Sequence, residues 1–225
     1  GEFLPLASKL QLMDDIALQV VADLVRHLPR LDAMFGTELR YSVNVSPAQA
    51  IDVPFMTRLT QGLPAGQAQR FIFELTEESL ADTGALETLV LPMLRQAGVR
   101  ISIDDFGTGY SSLAYLQRFP VDALKIDRFF VSRITEDAKT AALVRGIVGL
   151  ADALGLGSVA EGVETPEQQR AVRELGCRSY QGFLRARPGV AGVVTGLLEE
   201  LAARQSARVP DTVEGVTGPP ALHVV

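Results

Sequence analysis

The feature that most constrains this chain is a series of short β-rich runs, each ending in a polar residue and separated by helix-length intervals. The runs are 40–45 (RYSVNV), 70–75 (RFIFEL), 99–104 (VRISID), 121–126 (VDALKI), 157–160 (GSVA) and 178–183 (RSYQGF). Their polar ends are Asn44, Glu74, Asp104 with Asp105, Lys125 with Asp127, Glu161 with Glu164, and Gln181, and strand propensity alone would not choose them. Taking Asn44, Glu74, Asp104, Lys125, Glu161 and Gln181 in turn, the steps are 30, 30, 21, 36 and 20 residues. Such steps fit βα units, and the alternation predicts a parallel sheet or barrel.

The intervals carry helical patterns. Over 12–28, Asp14 and Asp15 favour a helix N-terminus, and Ile16, Val20, Leu24 and Leu28 share one stripe. Over 135–154, Leu143, Ile147, Leu150 and Leu154 fall on one face. Thr165-Pro166-Glu167 opens a helix over 165–175 that Gly176 closes. Residues 77–97 read as helix broken into pieces by Gly84 and Pro92.

Parallel βα units aim the C-terminal ends of all strands at one face, the active-site face of a (β/α) barrel. One pocket is then expected to collect Asn, Glu, Asp-Asp, Lys, Glu and Gln. The chain has one cysteine, Cys177, and two histidines, His27 and His223, neither in a polar motif. That excludes an internal disulfide and a Cys-rich zinc module, and argues against Ser-His-Asp or Cys-His catalysis. Any chemistry falls to carboxylates and Lys125, with a hard cation such as Mg²⁺ or Mn²⁺. Taken singly, each acid is as readily a helix cap or solvated loop residue, and Lys125 could be a structural ion pair to Asp127 or Glu161. A net charge of −6 makes a poor non-specific binder of DNA, RNA or anionic lipid. No uninterrupted apolar stretch is long enough to span a membrane. Gly107 and Gly109, in IDDFGTGYSSL (103–113), form neither a dinucleotide fingerprint nor a P-loop and suit a mobile loop after a strand end. Residues 1–204 are expected to form the barrel domain, and 205–225, rich in Gly and Pro, a flexible tail.

FELTE (73–77), DDFGTGYSSL (104–113), LKIDRFFV (124–131), AEGVET (160–165) and YQGFL (180–184) together resemble the EAL-domain phosphodiesterases of bacterial cyclic di-GMP signalling. SVNVSP (42–47) and the opening FLPLA (3–7) are similar to that family too, so the resemblance covers about residues 3–190. It implies an α/β, TIM-like (β/α)8 barrel that hydrolyses cyclic di-GMP to linear pGpG with two Mg²⁺ or Mn²⁺ ions. It further implies that Asn44, Glu74 and Asp104 ligate one ion, and Asp104, Asp105 and Glu161 the other. Lys125 is expected to contact the attacking water, with Glu161 and Glu164 in the catalytic set and Gln181 and Asp127 in support. Glu77 matches the glutamate that anchors the loop after DDFG and links the metal site to a dimer interface. A homodimer, sensor, receiver or GGDEF domains in the parent protein, and a cytoplasmic setting, free or as part of a membrane-anchored protein, complete the picture.

The Glu-Ala-Leu triplet itself is absent from the chain. In the family it lies just upstream of the FLPLA-like run. The expectation is therefore an amino-terminally trimmed piece lacking the first two strands, one ligand glutamate and a substrate-contacting arginine, and impaired alone. Two other functions remain open: a degenerate domain that binds the dinucleotide or a protein without cleavage, and an unrelated Mg²⁺-dependent barrel enzyme using Lys125 as a base.

Overall fold

The computed structural model describes residues 3–80, 83–109, 113–189, 196, 223 and 224. The order begins α1 (Phe3–Lys9), α2 (Met13–Phe35), β1 (Arg40–Val45), α3 (Pro47–Ala50), α4 (Val53–Gln61) and β2 (Phe71–Thr76). It continues with a 3-10 turn (Glu77–Leu80), α5 (Thr83–Ala85), a π-turn (Leu86–Val90), α6 (Leu91–Ala97) and β3 (Arg100–Phe106). Then come α7 (Leu113–Arg118), β4 (Ala123–Ile126), α8 (Arg128–Val131), α9 (Ala138–Ala153), β5 (Gly157–Ala160), α10 (Pro166–Glu174), β6 (Ser179–Tyr180) and β7 (His223–Val224).

All strands run parallel in one curled sheet of order β6-β5-β4-β3-β2-β1-β7, a half-barrel. Sequential strands are neighbours, as short right-handed βα crossovers dictate. Side chains alternate across a strand, and the two faces differ sharply. Tyr41, Val43, Val45, Phe71, Phe73, Leu75, Ile101, Ile103 and Leu124 are buried in one core with residues of α2, α4 and α6. A second cluster joins Ile126 and Ala160 to Val144 and Val148 of α9 and Val172 of α10. The intervening positions Ser42, Glu74, Ser102 and Lys125 are buried yet polar. The concave face is thus polar where barrel interiors are usually aliphatic.

Five of the six expected strands are four to seven residues long, and the sixth, expected over 178–183, is paired only over Ser179–Tyr180. The helix expected over 12–28 continues through Pro29 to Phe35. A proline inside a helix costs about 3 kcal/mol, and this is offset by burial of Leu31, worth about 2 kcal/mol, and by Asp32, which accepts from Arg70 Nη1 at 3.0 Å. The 77–97 segment is broken as expected, with the wide turn at Leu86–Val90 just ahead of Pro92. Helix α4 was not anticipated. Its signals are local: Asp52 accepts from Phe55 N at 2.9 Å and Pro54 sits in the first turn. Of the tail expected over 205–225, only His223 and Val224 are described, paired with Arg40 and Tyr41; the rest lies outside the described residues.

Candidate active site

The C-terminal strand ends bring acids from β2, β3 and β5 around one lysine from β4. Lys125, 4% exposed, donates to Glu74 Oε2 at 2.5 Å and is ion-paired with Glu161 Oε1 at 2.6 Å and Asp104 Oδ1 at 3.0 Å. Burial pulls its pKa down, but Glu74, Glu161 and Asp104 more than compensate, so the ammonium stands above its ordinary value and is fully charged. Asp127 is not its partner, contrary to one of the two structural pairings considered above. Instead its carboxylate caps α8, accepting from Phe129 N at 2.7 Å, and lies beside Asp105.

Asp104 and Asp105 are consecutive, and in a regular strand they would point to opposite faces. The β3–β4 register breaks between Ile103 and Phe106, and Asp105 adopts a left-handed φ of 53°. This bulge re-aims the pair. As a result Asp104, Asp105 and Glu161 each place an oxygen within 4.8 Å of the others. Crowding shows in their acidity. Burial, the hydrogen bond with Asp127, and the charges of Asp104 and Asp127 push Asp105 up to about 6, with Lys125 opposing. Burial pushes Glu161 up to about 7, Lys125 opposing and Asp104 and Glu74 adding to the rise.

Glu161 also accepts from Gln181 Nε2 at 2.8 Å. Gly162 and Gly182 make the turns after β5 and β6 possible. Both have positive φ; a Cβ on Gly162 would lie 2.5 Å from Arg128 Cβ, and one on Gly182 2.2 Å from Val163 O. The loop after β3 is tied from β2: Glu77 Oε2 accepts from Gly107 N at 3.0 Å and Gly109 N at 3.2 Å. Residues 110–112 of that loop lie outside the described set.

The structure therefore joins Glu74, Asp104, Asp105, Lys125, Asp127, Glu161 and Gln181 in one network and places Glu77 at its edge. Asn44 is level with Glu74 in the β1–β2 register but is exposed, with no side-chain bond among the described residues. Glu164 is exposed; its backbone N–H donates to Gln168 Oε1 in the cap of α10. A hard divalent cation bound at about 2.1 Å from its ligands spans oxygens up to about 4.2 Å apart. The Asp104–Asp105–Glu161 oxygens are close to that spacing, all-oxygen and rich in negative charge, so this donor set fits such an ion.

A family model described as an EAL domain matches residues 1–188. The chain belongs to the EAL domain family. Among its relatives, the bifunctional diguanylate cyclase/cyclic di-GMP phosphodiesterase MucR of Pseudomonas aeruginosa is 41% identical over 191 residues, which are 84% of this EAL domain and 28% of MucR. The cyclic di-GMP phosphodiesterase PdeR of Escherichia coli is 38% identical over 192 residues, 83% of this chain and 28% of PdeR. The EAL domain thus spans little more than a quarter of these relatives. Its fold matches the PaMucR phosphodiesterase in complex with c-di-GMP at a TM-score of 0.79 and 39% identity, covering 86% of this chain and 79% of that one. It matches the EAL enzyme Bd1971 in its cAMP- and cyclic-di-GMP-bound form at 0.80 and 29% identity, covering 88% and 55%. Such EAL structures are TIM-like barrels, and the curled half-barrel here fits a truncated one.

Proposed function

We propose that this EAL domain, in its parent protein, hydrolyses cyclic di-GMP to linear pGpG with two Mg²⁺ or Mn²⁺ ions. The observation that carries this reading is the oxygen cage of Asp104, Asp105 and Glu161 around the Lys125 ammonium, in a family whose members MucR and PdeR are named phosphodiesterases of that dinucleotide. Asn44, Glu74 and Asp104 would hold one ion and Asp104, Asp105 and Glu161 the other. When bound, such ions lower the pKa of water and neutralise the phosphodiester charge.

Charge balance supports a pair of ions. Glu74, Asp104, Asp105, Asp127 and Glu161, fully ionised against Lys125, leave a net −4, which two divalent cations cancel. Lys125 directs its N–H donors into the cage and so can orient the attacking water and the phosphoryl oxygens. Gln181 fixes Glu161 and, with Glu164, supports water and substrate. Asp127 steadies Asp105. Glu77 holds the loop after β3, a position from which a second subunit of a homodimer, or sensor, receiver or GGDEF domains of the parent, could alter the cage. No helix among the described residues is long and apolar enough to cross a membrane, and we place the domain in the cytoplasm.

The test is incubation of purified protein with cyclic di-GMP and Mg²⁺ or Mn²⁺, with product separated by chromatography. The expected result is pGpG, and none in excess chelator. Full turnover in chelator would overturn the metal requirement. Metal-independent binding without turnover would establish the receptor reading.

A further inference from the structure

Glu74, Asp104, Asp105 and Glu161 are each held by bonds to neighbouring side chains. Of the residues assigned above to the two ions, Asn44 alone has no side-chain bond among the described residues. Its aim therefore depends on how the chain leaves β1. Val45, 2% exposed, ends the strand, and the backbone turns at Ser46 into α3. One side chain, Gln49, builds that turn. Its Oε1 accepts from Ser46 N at 3.0 Å and from Ser46 Oγ at 3.1 Å, while Ser46 Oγ accepts from Gln49 N at 3.4 Å. A helix of four residues has too few backbone bonds to fix such a turn unaided.

Gln49 has a second tie, to another element. It is buried, and its Nε2 crosses to α2 and donates to Asp14 Oδ1 at 3.0 Å. The other carboxylate oxygen, Asp14 Oδ2, faces Arg58 Nη2 of α4 at 3.8 Å. A buried amide is costly unless both of its ends are bonded. Here the oxygen serves the strand end and the nitrogen serves α2. The two ends are not interchangeable: turned over, the amide would set N–H against the Ser46 N–H and oxygen against the Asp14 carboxylate. Asp14 is 35 residues from Gln49 in sequence, and a capping box needs no such distant partner.

We propose that Gln49 is a positioning residue for Asn44. Anchored on Asp14, it fixes the turn at Ser46 and with it the end of β1, so that Asn44 faces the ion it shares with Glu74 and Asp104. The proposal rests on the reading that Asn44 holds an ion. It brings α2, which carries no residue of the cage, into the machinery: a displacement of α2 against the sheet reaches a ligand through Asp14, Gln49 and Ser46.

Asn44 is the only asparagine in the sequence, so the chain labelled with ¹⁵N-asparagine shows one backbone amide and one side-chain amide pair by NMR, both from Asn44. In metal-free protein, Gln49→Glu keeps the acceptor for Ser46 but sets a second carboxylate against Asp14, and both signals should move. Adding Asp14→Asn returns a donor to the contact and should bring them back; Asp15→Asn, on the exposed neighbouring acid, should not. Turnover of cyclic di-GMP should fall about tenfold or more in Gln49→Glu and recover to within about threefold with Asp14→Asn. In an Asn44→Ala background, Gln49→Glu should cost no more than about twofold further, whereas a merely structural role would cost the same factor in both backgrounds. If Gln49→Glu does not fold, Asp14→Ala removes the same tie at a partly exposed position and should move the signals likewise. Unmoved Asn44 signals in Gln49→Glu or Asp14→Ala, no return with Asp14→Asn, or equal losses in the two backgrounds would overturn the proposal. Wild-type Asn44 signals that Mg²⁺ does not move would instead refute the ion at Asn44, a failure of that reading which the metal-free spectra keep apart from a failure of the contact.

Discussion

Replacing Lys125 by methionine isolates what the ammonium does for the fold. Methionine keeps an unbranched stem of similar volume, so packing is largely preserved. What is lost is the charge held at 2.5, 2.6 and 3.0 Å by Glu74, Glu161 and Asp104. Glu74 is 3% exposed and cannot turn to water. Removing one partner of a buried ionic cluster costs about 3–5 kcal/mol. In a domain of this size each kcal/mol shifts the melting temperature by roughly 2–4 °C, so Lys125→Met should melt roughly 10 °C below wild type in chelator. Excess Mg²⁺ or Mn²⁺ should recover part of that deficit, since a cation at Asp104, Asp105 and Glu161 replaces the missing charge. Circular dichroism melts of both proteins, with chelator and with metal, provide the assay. A melting temperature within about 2 °C of wild type in chelator, or a larger deficit with metal than without, would refute the electrostatic account.

Three further outcomes follow from the geometry. Asp105→Asn should fold normally and lose turnover of cyclic di-GMP; activity within about tenfold of wild type, under ~1.4 kcal/mol of barrier, would mean that Asp105 does not ligate. Gly109→Ala puts a Cβ 3.0 Å from Glu77 Oε1, so turnover should fall by about tenfold or more while the melting temperature moves by only a few degrees, as activity and melting measurements on one preparation would show. The third concerns pH. Asp105 and Glu161 have folded pKa values of about 6 and about 7, above the unfolded carboxylate range. The native state therefore holds protons that the unfolded state has released, and the stability this confers is fully present below about pH 4 and lost as pH rises through 6 to 7. Metal-free protein should melt lower at pH 8 than at pH 5, and a melting temperature that rises over this window would contradict the assignment.

The strand ends were legible because a polar residue closing a β-rich run is costly to place by chance, and parallel topology then forces all such ends together. Glu74, Asp104, Glu161 and Gln181 converge for that reason. The bulge at Asp105 was not legible: two adjacent acids say nothing of which face each takes until the β3–β4 register breaks. Of the two ion-pair partners considered for Lys125, Glu161 is one and Asp127 is not, for a related cause. Asp127 is near in sequence but two residues along the same strand path, and its carboxylate is taken by the cap of α8. Helix α4 escaped because its apolar face, Phe55, Met56 and Leu59, spans barely two turns, too short a period to register. The polar concave face was written in Ser42, Ser102 and Lys125, but alternation reads the same whether the second face meets water or a cavity.

Lys125 has one more consequence, for the life of the domain without metal. In many small metalloproteins the ligands repel one another once the ion leaves, and chelation unfolds the chain. Here a tethered cation already stands among Glu74, Asp104 and Glu161. On the proposed reading it would serve as a place-holder: without an ion the cage would keep its shape, and an arriving ion would meet ligands already gathered, with only the ammonium to displace. Stripping and reloading should then be a reversible exchange of counter-ions within a standing framework, so that the supply of divalent cation can switch the site without putting the fold at risk.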